Sequence, residues 1–418
     1  MTDNNENKVL NVPHLRFPKF SGEWEICKVS ELLDFYSTNS LSWEQLEYGE
    51  KAMMNLHYGL IHVGLPTMVD LRRDKLPNVK EGNMPKNFEL CKEGDVAFAD
   101  ASEDTNEVAK VIELFNLDNK DIVCGLHTIH GRDNKNKTIV GFKGYAFSSS
   151  AFHNQIRRIA QGTKIYSIST KNFSECYVGI PSKAEQTKIA TLLRLIDERI
   201  ATQNKIIEKL QSLIKGLNDN IHKGIKGETV CFSDLGEAYS GLSGKGGDDF
   251  GYGEPFITYM NVYQNTYISE KDYELVQIAP NEKQNSVQYG DALFTLSSET
   301  PEEVGIGAVY LGNTQKLYLN SFCFGIHFYD ERVLPQYLAH FISSFSFRKA
   351  IYPLAQGSTR FNLQKNDFMK MKFVLPTLEE QERIAKTLDA LHYCMANEKS
   401  LLEQYILLKR YLLSQMFI

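Results

Sequence analysis

Among the residues of this sequence, pairs of carboxylates have the spacing that comes closest to that of a catalytic metal site. Asp95 with Glu103, and Asp291 with Glu299, are pairs of the kind that bind Mg²⁺ in nucleases. Neither pair is followed by a Lys in a Glu-x-Lys arrangement, so roles in turns or helix caps are the stronger interpretation. We therefore predict no catalytic residue in this chain.

The spacings of metal ligands and of phosphate-binding residues are also incomplete. His127 and His130 are three positions apart around a predicted strand and do not form a zinc-binding helix motif. The seven cysteines include no Cys-x-x-Cys pair, which indicates neither a disulfide framework nor a zinc site. Gly244-Lys245 lacks the preceding Gly and the following Ser or Thr of a phosphate-binding loop, and no Pro-Pro pair supplies the site of an adenine methyltransferase. We predict no metal and no cofactor in this chain.

The elements that position these residues occur twice. A shift of 356 − 161 = 195 positions places Gln161-Gly162 on Gln356-Gly357 without a gap. A shift of 196 places the block beginning at Gly94 on the block beginning at Gly290, including its Ser-Glu pair. Such dense identities at a nearly fixed offset indicate an internal duplication. The chain is therefore predicted to contain two units, each with a globular part followed by a helix.

Each copy ends in a long amphipathic helix. The helix starts are marked by Ser182 with Glu185 and by Thr377 with Glu380, the spacing of a capping box. A helix from residue 182 to 221 would be about 60 Å long at 1.5 Å per residue, which is too long for one globular core. Apolar residues spaced by fours and threes predict a coiled-coil seam that also serves as the partner interface: Ile189, Leu193, Ile196, Ile200, Ile207 and Leu210, then Ile384, Leu388, Leu391, Met395 and Leu402.

The globular parts mix short β-prone runs with helical stretches, which predicts a mixed α/β (α+β) fold. The β-prone runs are residues 60–63, 122–128 and 138–142 in the first unit and 256–259, 308–311 and 322–329 in the second. The resulting domain boundaries are a disordered tail at 1–13, globular parts at 14–180 and 223–375, and helices at 181–222 and 376–418.

Composition places the protein among globular chains of two or three domains, with 418 residues, 42% hydrophobic and 23% charged. The polar start and the lack of a long apolar run predict a cytoplasmic location. A net charge of −6 argues against a protein that coats nucleic acid nonspecifically, although it leaves room for local basic surfaces.

Two equivalent segments are free of acidic residues within this acidic protein. Residues 143–164 and 345–360 contain several Lys and Arg and no Asp or Glu. Two heads held at a fixed distance by helices suit a ligand with two separated sites, and duplex DNA is such a ligand. These basic side chains would neutralise phosphates, the alternative being a solvated basic surface: Arg157, Arg158, Arg348 and Lys349.

The residues that contact DNA are predicted to lie on loops. Thr163 with Lys164, and Thr359 with Arg360, follow the Gln-Gly step and are predicted phosphate contacts. Side chains that form hydrogen bonds with base edges would read the sequence, with solvated loop residues as the alternative. The predicted base contacts are Asn55, His57, Tyr58, Arg72, Arg73 and Lys75 in the first head and Lys245, Asn261, Tyr263 and Gln264 in the second.

One repeated pattern resembles a known family. The pattern is similar to one in the specificity (S) subunit of type I restriction-modification systems. It consists of Gln-Gly-Thr/Ser, then Ile180-Pro181 or Leu375-Pro376, and then Glu-Gln-x-x-Ile-Ala-x-x-Leu at the start of a long helix. The resemblance covers essentially the whole chain. It implies two target-recognition domains in inverted orientation, separated by two long antiparallel coiled-coil helices with pseudo-two-fold symmetry.

The resemblance also implies a function and partners. Each domain would read one half of a bipartite site in double-stranded DNA, and the helices would set the spacing and dock two modification (methyltransferase) subunits, which recruit restriction subunits. S-adenosylmethionine, ATP and Mg²⁺ would belong to those partners. The alternative from another class is a coiled-coil scaffold whose heads bind protein, and an isolated endonuclease is the third interpretation.

Overall fold

The structure, a computed structural model, describes residues 10–49 and 53–418. Its contacts divide these residues into two compact units. The first unit contains the described residues up to Asn204 together with Ser400–Ile418, and the second is Lys205–Lys399. Most of the predicted tail, residues 1–9, lies outside the described residues. Asn11 is described, and its carbonyl accepts a hydrogen bond from the backbone N–H of Trp24 at 2.8 Å.

The first unit is built from two main sheets, with strand orders β10-β4-β6-β3 and β2-β11-β7-β9-β5, and two smaller pairs, β1-β13 and β12-β8. Its strands are β1 Glu25–Lys28, β2 Asp34–Tyr36, β3 Leu46–Glu47, β4 Met53–Leu56, β5 Met68–Asp70, β6 Asn78–Val79, β7 Val96–Ala99, β8 Ala101–Ser102, β9 Val111–Asn116, β10 Asp121–Cys124, β11 Thr128–Arg132, β12 Tyr166–Ser167 and β13 Tyr177–Ile180. Its helices are α1 Val29–Leu32, α2 Tyr58–His62, α3 Lys143–Phe147, α4 Ser150–Ile159, α5 Thr170–Ser174 and the N-terminal half of α6 Lys183–Lys223.

The second unit repeats this plan with three sheets, β15-β22-β18-β20, β17-β16-β21 and β19-β24-β23, and the pair β14-β25. Its strands are β14 Glu228–Cys231, β15 Gly236–Ser240, β16 Phe250–Ile257, β17 Tyr273–Val276, β18 Ala292–Thr295, β19 Ser297–Ser298, β20 Gly307–Val309, β21 Tyr318–Leu319, β22 Cys323–Phe328, β23 Ala355–Gln356, β24 Phe361–Leu363 and β25 Lys372–Leu375. Its helices are α7 Phe232–Leu235, α8 Tyr259–Gln264, α9 Pro335–Phe341, α10 Phe345–Ile351, α11 Lys365–Met369 and the N-terminal part of α12 Leu378–Gln415.

The central strand of each unit is buried on both faces. In β7, Val96 and Phe98 belong to one apolar cluster and Ala97 and Ala99 belong to another. This division follows from the alternation of side chains along a strand. In β18, Phe294 and Leu293 divide in the same way between two clusters of the second unit. Both units therefore have two layers of core around one central sheet.

A buried glutamine anchors the start of each long helix by the same hydrogen bonds. Gln186 donates to the carbonyls of Pro181 and Lys137 at 2.9 and 3.0 Å and accepts from the backbone N–H of Ile139 at 2.9 Å. Gln381 repeats these contacts 195 positions later, with Pro376 and Arg332 at 2.9 and 2.8 Å and Leu334 at 2.8 Å. Both side chains are fully buried. The repeated Glu-Gln pair therefore fixes each helix to its globular part.

The capping boxes predicted at the helix starts are only partly formed. The hydroxyls of Ser182 and Thr377 accept from the backbone three residues on, at 3.4 Å each. The carboxylate of Glu185 binds the guanidinium of Arg16 at 2.7 and 2.8 Å, whereas Glu380 binds Arg383 at 2.6 and 2.9 Å. The acidic residue therefore forms a salt bridge in each copy.

The two long helices contribute one part each to both units. Within the first unit, residues of α6 such as Leu193 share an apolar cluster with Leu412 near the end of α12 and with Met416 directly after it. The Lys409 ammonium lies 2.6 Å from the Asp197 carboxylate in the same unit. None of the helices in the described part of the chain combines the length and apolar character needed to cross a bilayer.

The predicted fold class is confirmed, with mixed sheets and helices, an internal duplication and two long helices of 41 and 38 residues. Two of the predicted strands are wrong. Residues 60–63 lie in and directly after α2, because the His57 side chain accepts from the Gly59 N–H and starts a helical turn. Residues 138–142 form turns, because the Gly141 N–H donates to the buried Glu113 carboxylate at 2.8 Å, with Gly141 at φ +92°.

Candidate nucleic-acid interface

The Gln-Gly step forms the same tight turn in both units. Gly162 has φ +144° and Gly357 has φ +145°, a region that L side chains rarely adopt. A Cβ would lie 1.9 Å from the Ile165 carbonyl oxygen at the first glycine and 2.0 Å from the Arg360 carbonyl oxygen at the second. Both turns therefore require glycine. The turns expose the four predicted phosphate contacts, Thr163, Lys164, Thr359 and Arg360.

Beside this turn the second unit has a cleft of about 310 Å³. The Tyr263 hydroxyl donates to the Glu303 carboxylate at 2.7 Å, and this hydrogen bond lowers the pKa of Glu303 and raises that of Tyr263. The Tyr259 and Tyr263 rings stack with centroids 6.0 Å apart. The Arg360 guanidinium lies 5.9 Å from the ring centroid of Phe322, which is 55% exposed. The structure thus brings two predicted residues, Tyr263 and Arg360, into one cleft.

The first unit has a cleft of about 520 Å³ at the equivalent place. The ring of Tyr58 meets that of His127 edge to face at 5.3 Å, and a ring nitrogen of His62 lies 2.9 Å from the Ala101 carbonyl oxygen. The Glu107 carboxylate is bound by Lys110 at 2.7 Å. Tyr58 is therefore the predicted base contact that lies in this cleft.

The two clefts share a framework and differ at their rims. The shared positions are a Tyr at the first position of a short helix, a Ser-Glu pair and a second Glu four positions later: Tyr58, Ser102, Glu103 and Glu107, matched by Tyr259, Ser298, Glu299 and Glu303. The rim positions carry different side chains: His62, His127 and Ile165 in the first cleft, and Tyr263, Phe322 and Arg360 in the second. One backbone plan therefore presents two different sets of chemical groups.

The chemistry of these clefts suits base edges better than phosphates. Carboxylates accept hydrogen bonds from base amino groups, and exposed aromatic rings contact or stack on bases. The same carboxylates repel phosphates. Lys164 and Arg360 on the adjoining turns are exposed and carry positive charges of the kind that contact phosphates.

A third cleft, of about 580 Å³, gathers the basic residues predicted in the first unit. Arg72, Arg73 and Lys75 line it together with Lys120. The Arg72 guanidinium binds both Asp70 carboxylate oxygens, the shortest contact being 2.5 Å, and this lowers the pKa of Asp70. The structure therefore brings these predicted residues together, with the charge of Arg72 already compensated by a neighbour.

Three predicted base contacts are buried. The Asn55 amide donates to the Asn39 side chain at 3.0 Å. His57 caps α2 and lies against the ring of Trp43, with centroids 4.5 Å apart, and burial lowers its pKa. Asn261 brackets Ser269 with two hydrogen bonds, of 2.8 and 3.0 Å. Each of these side chains holds its own domain together.

Two predicted basic residues are also engaged inside their unit. The Lys245 side chain is 8% exposed, and its ammonium lies 2.5 Å from the Glu282 carboxylate. The Arg348 guanidinium donates to three backbone carbonyls at 2.6 to 2.7 Å, and burial lowers its pKa. The predicted residues Arg157, Arg158, Gln264 and Lys349 remain exposed.

The predicted helix interface is partly covered. Its buried residues are Ile189, Leu193, Ile196, Ile207, Ile384 and Leu388. Its partly exposed residues are Ile200, Leu210, Leu391, Met395 and Leu402. Other large apolar side chains of the two helices are exposed, namely Leu195, Ile206, Leu213, Tyr393, Leu401, Leu407, Leu408 and Tyr411. The helices thus carry apolar surface beyond the part that packs within the units.

The carboxylate pairs considered for Mg²⁺ are divided by the fold. Asp95 is buried and binds His130 at 2.7 Å and Arg132 at 2.8 Å, while Asp291 is buried and accepts from the Tyr239 hydroxyl at 2.7 Å. Glu103 and Glu299, by contrast, are exposed and belong to the shared framework of the two clefts. The aspartates therefore have structural partners.

Sequence reasoning missed several residues of these surfaces. Lys120, Met260 and Phe322 line the clefts without belonging to a recognisable motif. The duplicated Ser-Glu pair is the signal in the sequence that marks the two equivalent clefts. Also missed was a buried group of Cys91, Cys124 and His130, whose ligand atoms all lie within 4.8 Å of one another.

Comparison with known proteins identifies related chains. The protein-family model described as type I restriction modification DNA specificity domain matches the sequence twice, at residues 74–212 and 227–405. The specificity subunit of the type I restriction enzyme EcoKI from Escherichia coli (strain K12) is 25% identical over 279 residues, which are 60% of this chain and 58% of that subunit. This alignment therefore spans a little over half of that relative.

Two solved structures share the fold. The S subunit of a type I restriction-modification system from M. genitalium has a TM-score of 0.55 at 13% identity, covering 97% of this chain and 99% of that chain. A structure described under complex assembly and conformational transition of the type I R-M system has a TM-score of 0.59 at 14% identity, covering 93% and 96%.

Proposed function

Because this chain belongs to the family of type I restriction modification DNA specificity domains, whose model matches it twice, we propose that it is the DNA-recognition subunit of a type I restriction-modification enzyme. Each globular unit reads one half of a bipartite site in duplex DNA. The observation that carries this proposal is the pair of equivalent clefts with a common framework and different rims. Different rims at equivalent positions are what two different half-sites require.

Within each unit the contacts divide by chemistry. Apart from Arg360, the rim residues of the two clefts contact base edges, whereas Arg360 and the other exposed basic residues contact phosphates. The phosphate contacts include Lys164 and Arg360 on the turns and the exposed Arg157, Arg158 and Lys349. They also include Arg72, Arg73 and Lys75 of the third cleft, which the sequence analysis predicted as base contacts. This division matches the general roles of phosphate and base contacts in DNA recognition.

The remaining parts of the chain connect the heads to partners. Residues 14–180 and 223–375 are the target-recognition domains, and the helices at 181–222 and 376–418 set the spacing. Their exposed apolar side chains dock two modification subunits, through which restriction subunits join. This chain contributes recognition in the cytoplasm, whereas the partners bind S-adenosylmethionine, ATP and Mg²⁺ and perform the chemistry.

A methylation map tests this function. Adenine methylation is sequenced genome-wide in cells that express the cognate modification subunit with or without this chain. We expect a bipartite motif that depends on this chain and changes on one side only when residues 14–180 are exchanged for those of another family member. Assembled complex without new methylation would refute the proposal.

Binding to DNA separates this function from a protein-binding scaffold. The purified complex should bind duplex DNA with an affinity that falls as salt rises, because phosphate contacts release counterions. A complex that is intact but shows no salt-dependent duplex binding would favour the scaffold instead.

A further inference from the structure

From the buried group of Cys91, Cys124 and His130, we propose that the first unit contains a structural Zn²⁺ site. The proposal is independent of the DNA-recognition function. One ligand atom from each residue lies within 4.8 Å of the others, and all three residues are at least 95% buried. Two sulfurs and an imidazole nitrogen are ligands that zinc prefers over magnesium or calcium.

The distance between the two sulfurs is close to the distance expected when both bind one zinc ion. The Sγ atoms of Cys91 and Cys124 are 3.5 Å apart. In a tetrahedral site with Zn–S bonds of about 2.3 Å, two sulfurs are separated by about 3.8 Å. Only small side-chain adjustments would therefore bring both sulfurs to one ion.

One ring nitrogen of His130 forms a hydrogen bond, and the other has no partner. Nε2 of His130 lies 2.7 Å from the Asp95 carboxylate, so this nitrogen carries the proton and donates it. Nδ1 is buried and has no hydrogen-bond partner. A buried polar atom without a partner is costly. A carboxylate that orients an imidazole whose other nitrogen is free is also the usual arrangement around histidine ligands of zinc.

The backbone holds the three ligands in place. The Cys91 N–H donates to the Ile122 carbonyl at 2.8 Å, and the Cys124 carbonyl accepts from the Asn39 N–H at 3.0 Å. His130 lies within β11, in register with Ala97 of the central strand. The site would therefore join β10 of the four-stranded sheet to β11 of the five-stranded sheet.

The second unit provides an internal comparison, because the same backbone positions there carry no ligands. The Val287 N–H donates to the Leu317 carbonyl at 2.7 Å, as Cys91 does to Ile122. By the same alignment, Leu319 takes the place of Cys124 and Gly325 that of His130. The Tyr239 side chain fills the space over Gly325, where an added Cβ would lie 2.3 Å from its hydroxyl.

The aspartate at this site, Asp95 in the first unit and Asp291 in the second, is present in both units but has different hydrogen-bond partners. The Tyr239 hydroxyl donates to Asp291 at 2.7 Å, where His130 binds Asp95 in the first unit. Val287, Leu319 and Tyr239 belong to one apolar cluster. The fold therefore does not need two thiols and an imidazole at these positions, and a shared metal ion would account for all three of them in the first unit.

The charges of the site balance. Binding of Zn²⁺ releases one proton from each thiol, so two thiolates neutralise the ion and His130 remains neutral. Asp95 and Arg132, which meet at 2.8 Å, neutralise each other beside it. Three protein ligands leave the fourth tetrahedral position to a solvent molecule. The expectation from the sequence that the chain holds no metal is therefore replaced by this proposal.

Metal analysis of the full chain tests the site. The chain is purified under reducing conditions from zinc-supplemented cells, and its zinc is measured by mass spectrometry. We expect about one zinc ion per chain. A double variant, Cys91→Val with Cys124→Leu, carries the residues of the second unit and should fold and retain less than about a tenth of that zinc. Cys323→Ser, at a buried cysteine of the second unit, should retain all of it.

Cobalt substitution and thermal unfolding provide two further tests of the zinc site. Cobalt loading should give a thiolate charge-transfer band in the wild type that is missing from the double variant, and a chelator should lower the thermal unfolding midpoint of the wild type alone. Equal zinc in wild type and double variant would overturn the proposal. So would a metal-free wild type that does not take up zinc when reconstituted under reducing conditions, or one in which peptide mapping after thiol trapping finds a Cys91–Cys124 disulfide.

Discussion

Arg360 offers the sharpest single test of how the second unit contacts DNA. Its side chain is exposed on the Gln-Gly turn, and no ion pair or hydrogen bond of its guanidinium is found among residues 10–49 and 53–418. Replacement by Ala therefore removes one positive charge without releasing an acidic partner. By contrast, removal of Arg72 would free the Asp70 carboxylate, and the two effects would be mixed.

The magnitude follows from counterion release. Each phosphate contact contributes about 0.9 to the slope of log K against log salt, so a rise from 50 to 200 mM weakens binding by a factor of about 3.5 per contact. We expect Arg360→Ala to weaken binding to all duplexes and to lower the slope of log K against log salt by about 0.9, so that the loss of affinity between 50 and 200 mM salt is about 3.5-fold smaller than in the wild type. Arg360→Lys retains the charge and should keep the wild-type slope.

The assay is duplex binding by the purified complex at several salt concentrations, with cognate and scrambled duplexes. The contact of Arg360 with Phe322 is worth at most about 1 kcal/mol at an exposed site, so the thermal midpoint should change little. An unchanged slope for Arg360→Ala would refute the phosphate contact. A loss confined to the cognate duplex, shared by Arg360→Lys, would instead assign Arg360 to a base.

The other predictions concern the turns, the helices and one loop. Gly357→Ala, which forces a side chain to φ +145° and a contact of 2.0 Å, should lower the free energy of unfolding by more than about 1 kcal/mol, whereas Gly216→Ala in open space on α6 should raise it slightly, as urea titration will show. Charged substitutions Ile200→Glu and Met395→Glu should abolish co-purification with modification subunits while circular dichroism stays native, and persistence of the complex would contradict the docking proposal. Hydrogen bonds from Lys245 first, and then from Gln284 and the Ala279 N–H, lower the pKa of Glu282 to about 2 from its ordinary 4.5, so the stabilisation they bring is fully present above pH 4.5 and lost as the pH falls toward 2. The difference in unfolding midpoint between wild type and Lys245→Met should therefore shrink across that window, and a constant difference would argue against the ion pair.

The fold was largely predictable because duplication and helical periodicity are written directly in the sequence. The offset of 195 locates the Gln-Gly turns and the Glu-Gln anchors, and the spacing of apolar residues predicts both long helices. Short elements were less predictable, since residues 60–63 are β-prone in isolation and a cap from His57 makes them helical. Here a local hydrogen bond outweighs an intrinsic preference.

The functional residues were harder to predict because residue type alone does not report burial. Asn55 and Asn261 have side chains suited to adenine, yet both are buried and bonded within their own domains. Phe322 has no sequence signal, and only the fold places it in the same cleft as Tyr263. Cys91 and Cys124 are 33 positions apart, so their meeting depends on the pairing of Cys91 with β10.

We propose that each cleft reads its own half-site independently of the other cleft. The most direct measurement is a genome-wide methylation map for a chain whose second cleft carries the two rim histidines of the first, through Tyr263→His and Phe322→His, with Arg360 unchanged. Assembly of the complex and its thermal midpoint serve as controls. We predict that one half of the bipartite motif changes or relaxes while the other half and the spacer stay fixed. Methylation that continues with both halves unchanged, or with both halves altered together, would contradict it.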